Sequence, residues 1–193
     1  MRNQRFLGVI PLSMRRETGH QLGMLPRRSL GRLLGSAVVS SVLPVGAQKP
    51  HATTTLFSLG RSKNANIVCY VTRSDARGLD PSRPIDAFWL MLAEDGRREE
   101  LTWAERKLAY GFSVAGSSSD RCVLRLTACP ERPLLVERQG PTFRAMLLIA
   151  GKRAALTRIF VQTTEGSLLP SVQYLDLFGR AADGAAVHER LAP

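Results

Sequence analysis

Two short segments hold most of the side chains that could do chemistry. The first runs from Arg61 to Asn66 and places two cations and two amides in one turn and the start of a strand. Carboxylates, phosphates and sugar hydroxyls bind to guanidinium, ammonium and amide donors, so Arg61, Lys63, Asn64 and Asn66 are candidate contacts for an anionic or polar ligand. The alternative is an ordinary hairpin turn in which the Asn64 side chain bonds to nearby backbone.

The second segment runs from Glu105 to Gly111 and includes Lys107 and Tyr110. Thr102, three residues before Glu105, fits a capping box, which predicts a short helix that Gly111 ends. One interpretation of the charges is the solvated face of an amphipathic helix. In the other, Lys107 and Tyr110 point from one helix face toward a pocket and join the candidate binding residues together with Glu105.

The three cysteines allow more than one interpretation. Cys69 shares a strand face with Ile67 and Val71, and Cys122 lies in a similar apolar run, so both are predicted to face inward. They could form a disulfide or remain two buried thiols, and Cys129 would be the odd thiol. CxxC, HExxH, GxSxG and phosphate-loop motifs are absent, so we expect no metal site and no cofactor.

Residues 1–47 have the features of an export signal. Read from Met24, the expected start, arginines precede a short apolar stretch and then small residues before an expected cut. The pair Arg27 and Arg28 fits the twin-arginine route as well as the general secretory route. We therefore expect the remaining chain, residues 48–193, to be periplasmic or secreted, without a transmembrane span.

The net charge of +11 invites a nucleic-acid interpretation, which the distribution of charge weakens. Residues 1–47 hold 7 basic and 1 acidic residues, a net of +6, and residues 48–193 hold 20 basic and 15 acidic residues, a net of +5. The charge of the second part is interleaved with acids, as on a solvated surface. We expect no nucleic-acid partner; an unknown envelope ligand or protein is the expected partner.

Beyond residue 48, short runs of β-forming residues alternate with turns. This spacing predicts a single, mainly β domain over residues 48–193, an antiparallel sandwich or open barrel with one short helix. Trp89 and Trp103 are expected in the core or at its edge, and His188 near a fraying C-terminus. The predicted strands are residues 56–61, 65–72, 85–92, 112–115, 121–127, 134–138, 142–150, 156–163 and 172–178.

The segments RSKNANIVCY (residues 61–70) and ERKLAYGF (residues 105–112) resemble an uncharacterised family of exported bacterial proteins, a domain of unknown function. The resemblance covers roughly residues 55–180. It implies an exported fold without an assigned activity, so it carries over no catalytic residues.

Three functions fit these observations. The preferred one is an extracytoplasmic binding or structural interaction module for an anionic or polar ligand. An exported hydrolase acting on envelope material would need a base such as Glu105, Lys63 or Lys107 in a concave pocket. A purely structural network would pair Arg61 or Lys63 with Glu105 and leave no cavity.

Overall fold

A computed structural model describes residues 52–164 and 171–192. The predicted export signal in residues 1–47, with the start at Met24 and the arginine pair, lies outside these residues. The described chain forms twelve strands and one helical turn, and no helix in it is long and apolar enough to cross a membrane. The strands are β1 (Ala52–Arg61), β2 (Asn64–Asp75), β3 (Gly78–Leu79), β4 (Ile85–Leu90), β5 (Arg98–Glu100), β6 (Phe112–Ala115), β7 (Arg121–Leu126), β8 (Cys129–Gln139), β9 (Thr142–Ile149), β10 (Lys152–Thr163), β11 (Val172–Ala181) and β12 (Ala186–Leu191), and the helical turn consists of α1 (Trp103–Glu105) and a π-helical continuation (Arg106–Tyr110).

The described strands form one sheet that curls into an open half-barrel around β10. One edge of β10 pairs with β11, which in turn pairs with β12. The opposite edge pairs first with β9 and then with β1, and two arms start there: β1-β2-β4-β5 and β9-β8-β7-β6. The predicted mainly β fold with one short helix is confirmed, in its open-barrel form.

The pairing of β1 with β10 differs from the expected antiparallel arrangement because these two strands run parallel. Parallel neighbours need a long connection, and here that connection is the chain from β2 to β9. The consequence is that the two arms curl toward each other over a shared core. Their aromatic residues meet there: Tyr70 stacks on Phe57 at 4.6 Å between ring centroids and meets Phe112 edge-on at 6.1 Å.

Cys69 and Cys122 are both buried free thiols. Cys122 belongs to the core, but on β2 the core residues are Val68 and Tyr70, so the alternation of the strand turns Cys69 to the outer face. Cys69 therefore does not face inward, although the sequence predicted that it would. Because β2 is buried on both faces along this stretch, its composition does not mark the inner one.

The C-terminal region also differs from the expectation. His188 lies within β12, which is paired with β11 from Ala186 to Leu191, so it does not lie in a fraying end. Only Val187 of this strand belongs to the core. A strand that places one residue in the core leaves a weak hydrophobic pattern, which explains why it was not predicted.

Candidate functional site

The Arg61–Asn66 segment forms the hairpin turn between β1 and β2, and its two amides serve that turn. Arg61 pairs with Asn64, while Lys63 is exposed and has a left-handed backbone with φ 62°. The Asn64 Oδ1 accepts a hydrogen bond from the Asn66 N–H at 2.9 Å, and the Asn66 Oδ1 accepts one from the Ala93 N–H at 3.0 Å. The amide oxygens of Asn64 and Asn66 therefore hold local structure.

Arg61 is directed inward by the pairing of β1 with β10. It lies opposite Val161 and on the same strand face as the buried Leu59. The next residue, Ser62, ties the turn to β10, because its N–H donates to the Val161 carbonyl at 2.9 Å and its hydroxyl meets the Thr163 hydroxyl at 3.0 Å. The half-buried Arg61 is thus held at the end of the half-barrel interior.

Glu105 caps the helical turn, as the sequence predicts. The Thr102 hydroxyl accepts from the Glu105 N–H at 3.3 Å, and the Thr102 N–H donates to the Glu105 Oε2 at 2.8 Å. The Trp89 indole N–H donates to the Glu105 Oε1 at 3.1 Å. Both carboxylate oxygens are therefore hydrogen-bond acceptors within the fold, and the position of the carboxylate is fixed.

Lys107 and Tyr110 do not share a face of the helical turn. Tyr110 is buried, packs edge-on against Trp89 at 5.0 Å, and accepts at its carbonyl a 2.9 Å hydrogen bond from the Tyr70 hydroxyl. Lys107 is exposed, with its Nζ 4.9 Å from the centre of the Trp103 ring. The turn is π-helical from Arg106, so its residues are rotated relative to an α-helix and the expected i,i+3 neighbours separate.

Gly111 ends the helical turn, as predicted, but for a steric reason. Its backbone is extended, with φ −71° and ψ 169°, which any residue can adopt. A Cβ atom at this position would collide with the carbonyl oxygen of Arg106. The close approach of the two backbone segments therefore requires glycine.

Tyr110 also forms part of the wall of a cavity of about 50 Å³, which we call the aliphatic cavity. The cavity lies inside the half-barrel, between the helical turn, the β7–β8 turn, strand β1 and the strands from β7 to β12. Its wall is almost entirely hydrocarbon, and its residues with polar groups in their side chains are Tyr110, Cys129 and Arg132. The wall residues are Leu59, Ala109, Tyr110, Leu126, Ala128, Cys129, Arg132, Leu134, Leu147, Leu156, Ile159, Val161, Leu175, Leu177 and Leu191.

Arg61 and Tyr110 come from the two predicted segments, and the Arg61 charge acts on the Tyr110 phenol, so we call them the rim pair; Tyr110 belongs to the cavity wall and Arg61 does not. Burial raises the pKa of the Tyr110 phenol; the Arg61 guanidinium lowers it and the Glu105 carboxylate raises it further. The phenol is therefore a neutral donor at physiological pH. Within residues 52–164 and 171–192, no carboxylate forms an ion pair with Arg61, whereas Arg132 is bound to both oxygens of Glu189 at 3.1–3.2 Å.

The sequence did not reveal a charged cluster on the outer face of β11 and β12. The buried Asp176 accepts two 2.8 Å hydrogen bonds from Arg190. Its Oδ1 also lies 2.9 Å from the Nε2 of His188. The hydrogen bond from Arg190 contributes most to lowering the pKa of Asp176 to about 2, with a smaller contribution from His188. The i,i+2 spacing of His188 and Arg190 signals a shared strand face, but nothing in the sequence identifies Asp176 as their partner.

The part of the chain that the structure covers contains no group of three metal-ligating side chains. The model of one protein family, described as a domain of unknown function (DUF4833), matches residues 57–190. No curated protein and no solved structure matches the chain. The match begins and ends close to the range of the resemblance seen in the sequence, and it includes the rim pair and the whole wall of the aliphatic cavity except Leu191.

Proposed function

Since the chain belongs to this family of domains of unknown function, we propose its function from the site: it is an extracytoplasmic binding module for a small ligand that carries an anionic group beside a compact apolar group. The rim pair would bind the anion, and the aliphatic cavity would receive the apolar group. The half-buried Arg61, without a carboxylate partner among the described residues, is the observation that carries this proposal.

Arg61 is half-buried, and its guanidinium nitrogens are not among the buried, unpartnered polar atoms of the described residues, so they remain open to a ligand. A carboxylate or phosphate oxygen placed at Arg61 would accept charge-assisted hydrogen bonds from the guanidinium. The neutral Tyr110 hydroxyl beside it would add a second donor. An anion is therefore the natural occupant of this position.

The cavity restricts what else the ligand can contain. Its volume of about 50 Å³ compares with the roughly 150 Å³ of an engineered apolar cavity that binds benzene. A short alkyl group fits that space, and the hydrocarbon wall offers a polar group few partners. The ligand class is thus a short-chain alkyl carboxylate or alkyl phosphate.

The other two functions receive less support from these contacts. A hydrolase would need a free base, and of the candidates Glu105, Lys63 and Lys107 the first already accepts hydrogen bonds at both carboxylate oxygens. The structural network would pair Arg61 or Lys63 with Glu105 and leave no cavity, whereas no ion pair of Arg61 with Glu105 is found among the described residues and a cavity is present.

The test is a titration of the full chain with straight-chain carboxylates and alkyl phosphates of increasing length, measured by thermal shift and calorimetry. We expect binding that strengthens with the first methylene groups and then levels off as the cavity fills. Arg61→Gln should weaken binding of every member by ~10- to 100-fold, since charge-assisted hydrogen bonds contribute about 1.5–3 kcal/mol. The two series distinguish a carboxylate from a phosphate head.

Matched variants separate this site from general effects of charge and size. Arg158→Gln removes a positive charge from the outer face, where that guanidinium lies over Phe178, and should leave the affinity unchanged. Leu147→Phe adds volume to the cavity wall and should abolish the dependence on chain length, whereas Leu148→Phe, at the exposed neighbouring position, should preserve it. Equal losses in Arg61→Gln and Arg158→Gln would refute the proposal.

The extracytoplasmic location rests on the export signal expected in residues 1–47. Fractionation of cells that express the full chain, followed by N-terminal sequencing of the native protein, checks it. We expect a periplasmic or secreted protein that begins near Gln48. A cytosolic protein that still carries Arg27 and Arg28 would contradict this part of the proposal.

A further inference from the structure

We propose that Trp103, Lys107 and Leu108, the Trp103 face, dock the domain on the surface of an anionic phospholipid bilayer. This face lies on the outer side of the helical turn whose inner side, Ala109 and Tyr110, forms part of the cavity wall. It contains neither Arg61 nor Tyr110, so substitutions can test membrane docking and ligand binding independently.

The first argument is the exposure of apolar side chains that usually lie in a core. Trp103 is 75% exposed and Leu108 46% exposed, whereas the other tryptophan, Trp89, is 8% exposed. Large aromatic side chains provide most of their stabilisation through burial. The fold buries one indole and leaves the other in water, on a helical turn that also exposes Leu108, so both apolar side chains are available for contact outside the chain.

The second argument is the charge around this face. Lys107 lies 4.9 Å from the Trp103 ring centre, while the nearby carboxylates are engaged elsewhere. Glu105 accepts from Trp89 and Thr102, and Glu100 accepts from Arg106 at 2.9 Å. The cation therefore presents its charge next to the exposed apolar groups, as lysine and tryptophan do at a membrane interface.

The size of the face favours a bilayer over a second protein. A stable protein interface buries about 800 Å² on each partner, whereas a tryptophan buries ~150–250 Å² and the face adds only one leucine. Shallow insertion into the headgroup region needs no complementary partner surface. The net charge of +5 over residues 48–193 adds a general attraction to anionic lipids.

The test uses the full chain and vesicles of phosphatidylcholine and phosphatidylglycerol that carry brominated acyl chains, which quench tryptophan on contact. The only two tryptophans of the chain are Trp89 and Trp103, so insertion of the N-terminal segment produces no signal. We expect quenching with anionic vesicles that falls when phosphatidylglycerol is omitted or salt is raised. Trp103→Phe should remove nearly all of it, because Trp89 lies in the core.

Two leucine variants provide the matched comparison. Leu108→Ser should weaken partitioning into anionic vesicles ~10-fold, the loss expected when one leucine no longer leaves water. Leu148→Ser, at a position 59% exposed on β9, should change it by less than about twofold. Arg61→Gln should leave quenching intact, which distinguishes failure here from failure of the ligand proposal.

Several outcomes would overturn the inference. One is the absence of quenching with anionic vesicles, and another is equal weakening by Leu108→Ser and Leu148→Ser. Quenching that persists in Trp103→Phe would also refute it. Self-association in the absence of lipid that is lost in Trp103→Phe would assign the face to a second copy of the chain.

Discussion

The hydrogen bond from the Tyr70 hydroxyl to the Tyr110 carbonyl directly links β2 to the helical turn. Tyr70 is completely buried, and the bond measures 2.9 Å. Tyr70→Phe removes the donor and retains the ring that stacks on Phe57. The substitution therefore isolates the contribution of this one bond to the position of Tyr110.

The expected loss follows from what the substitution leaves behind. The Tyr110 carbonyl would lose its hydroxyl donor inside the core, and an unsatisfied buried polar group costs about 1–3 kcal/mol. We expect the free energy of unfolding to fall by about 2 kcal/mol. For a chain of this size, that lowers Tm by about 4–8 °C.

Urea unfolding monitored by circular dichroism measures this loss, with Tyr174→Phe as the control. Tyr174 is half-buried on the outer face, where the Arg190 guanidinium lies 3.8 Å from its ring centre, and the phenylalanine keeps that ring. The control should change stability by less than about 0.5 kcal/mol. The slope of the unfolding curve should be unchanged in both variants.

The reasoning fails if the two tyrosine variants have the same stability within error. In that case, packing alone holds the helical turn against β2. A change in the slope for Tyr70→Phe would instead show that the substitution alters the native or denatured state more widely.

Three further predictions concern the backbone, the outer cluster and the thiols. Gly111→Ala should destabilise the fold by about 2 kcal/mol or more in urea, because the Arg106 carbonyl cannot yield, whereas Gly60→Ala, whose Cβ would meet only Ile67 Cγ2 at 3.6 Å, should be close to neutral. Because the pKa of Asp176 is lowered to about 2, its stabilisation is present above about pH 4 and lost toward pH 2, so Asp176→Asn should reduce the drop in urea midpoint between pH 6 and pH 3. Burial raises the pKa of all three cysteines, so a thiol reagent at pH 8 should react slowly with the native chain and count three thiols after unfolding; a count of one would indicate a disulfide.

The features that the sequence predicts well depend on neighbouring residues. The capping box between Thr102 and Glu105 and the hairpin turn at Lys63 are set by contacts within a few positions of the chain. The strand runs follow from β-forming composition between turns. Such local chemistry survives in almost any surrounding fold, so it can be inferred without knowing the rest of the molecule.

The features that sequence reasoning missed depend on pairing over long distances. The parallel pairing of β1 with β10, which turns Arg61 inward, joins strands about one hundred residues apart, and no residue pattern encodes it. The outward position of Trp103 was also missed. Trp103 is expected in the core or at its edge, but the π-helical turn presents Ala109 and Tyr110 to the core.

The balance of charge around the rim pair explains why binding is a better inference than catalysis. A general base must be free to accept a proton, yet Glu105 is already an acceptor for the Trp89 indole and for Thr102. Arg61 is in the opposite condition, because it carries a charge that no described carboxylate neutralises. Glu105 is therefore poorly placed to accept a proton, whereas Arg61 can still donate hydrogen bonds to an anion. This difference between the acid and the cation is the reason that we propose anion binding, and not proton transfer, for the rim pair.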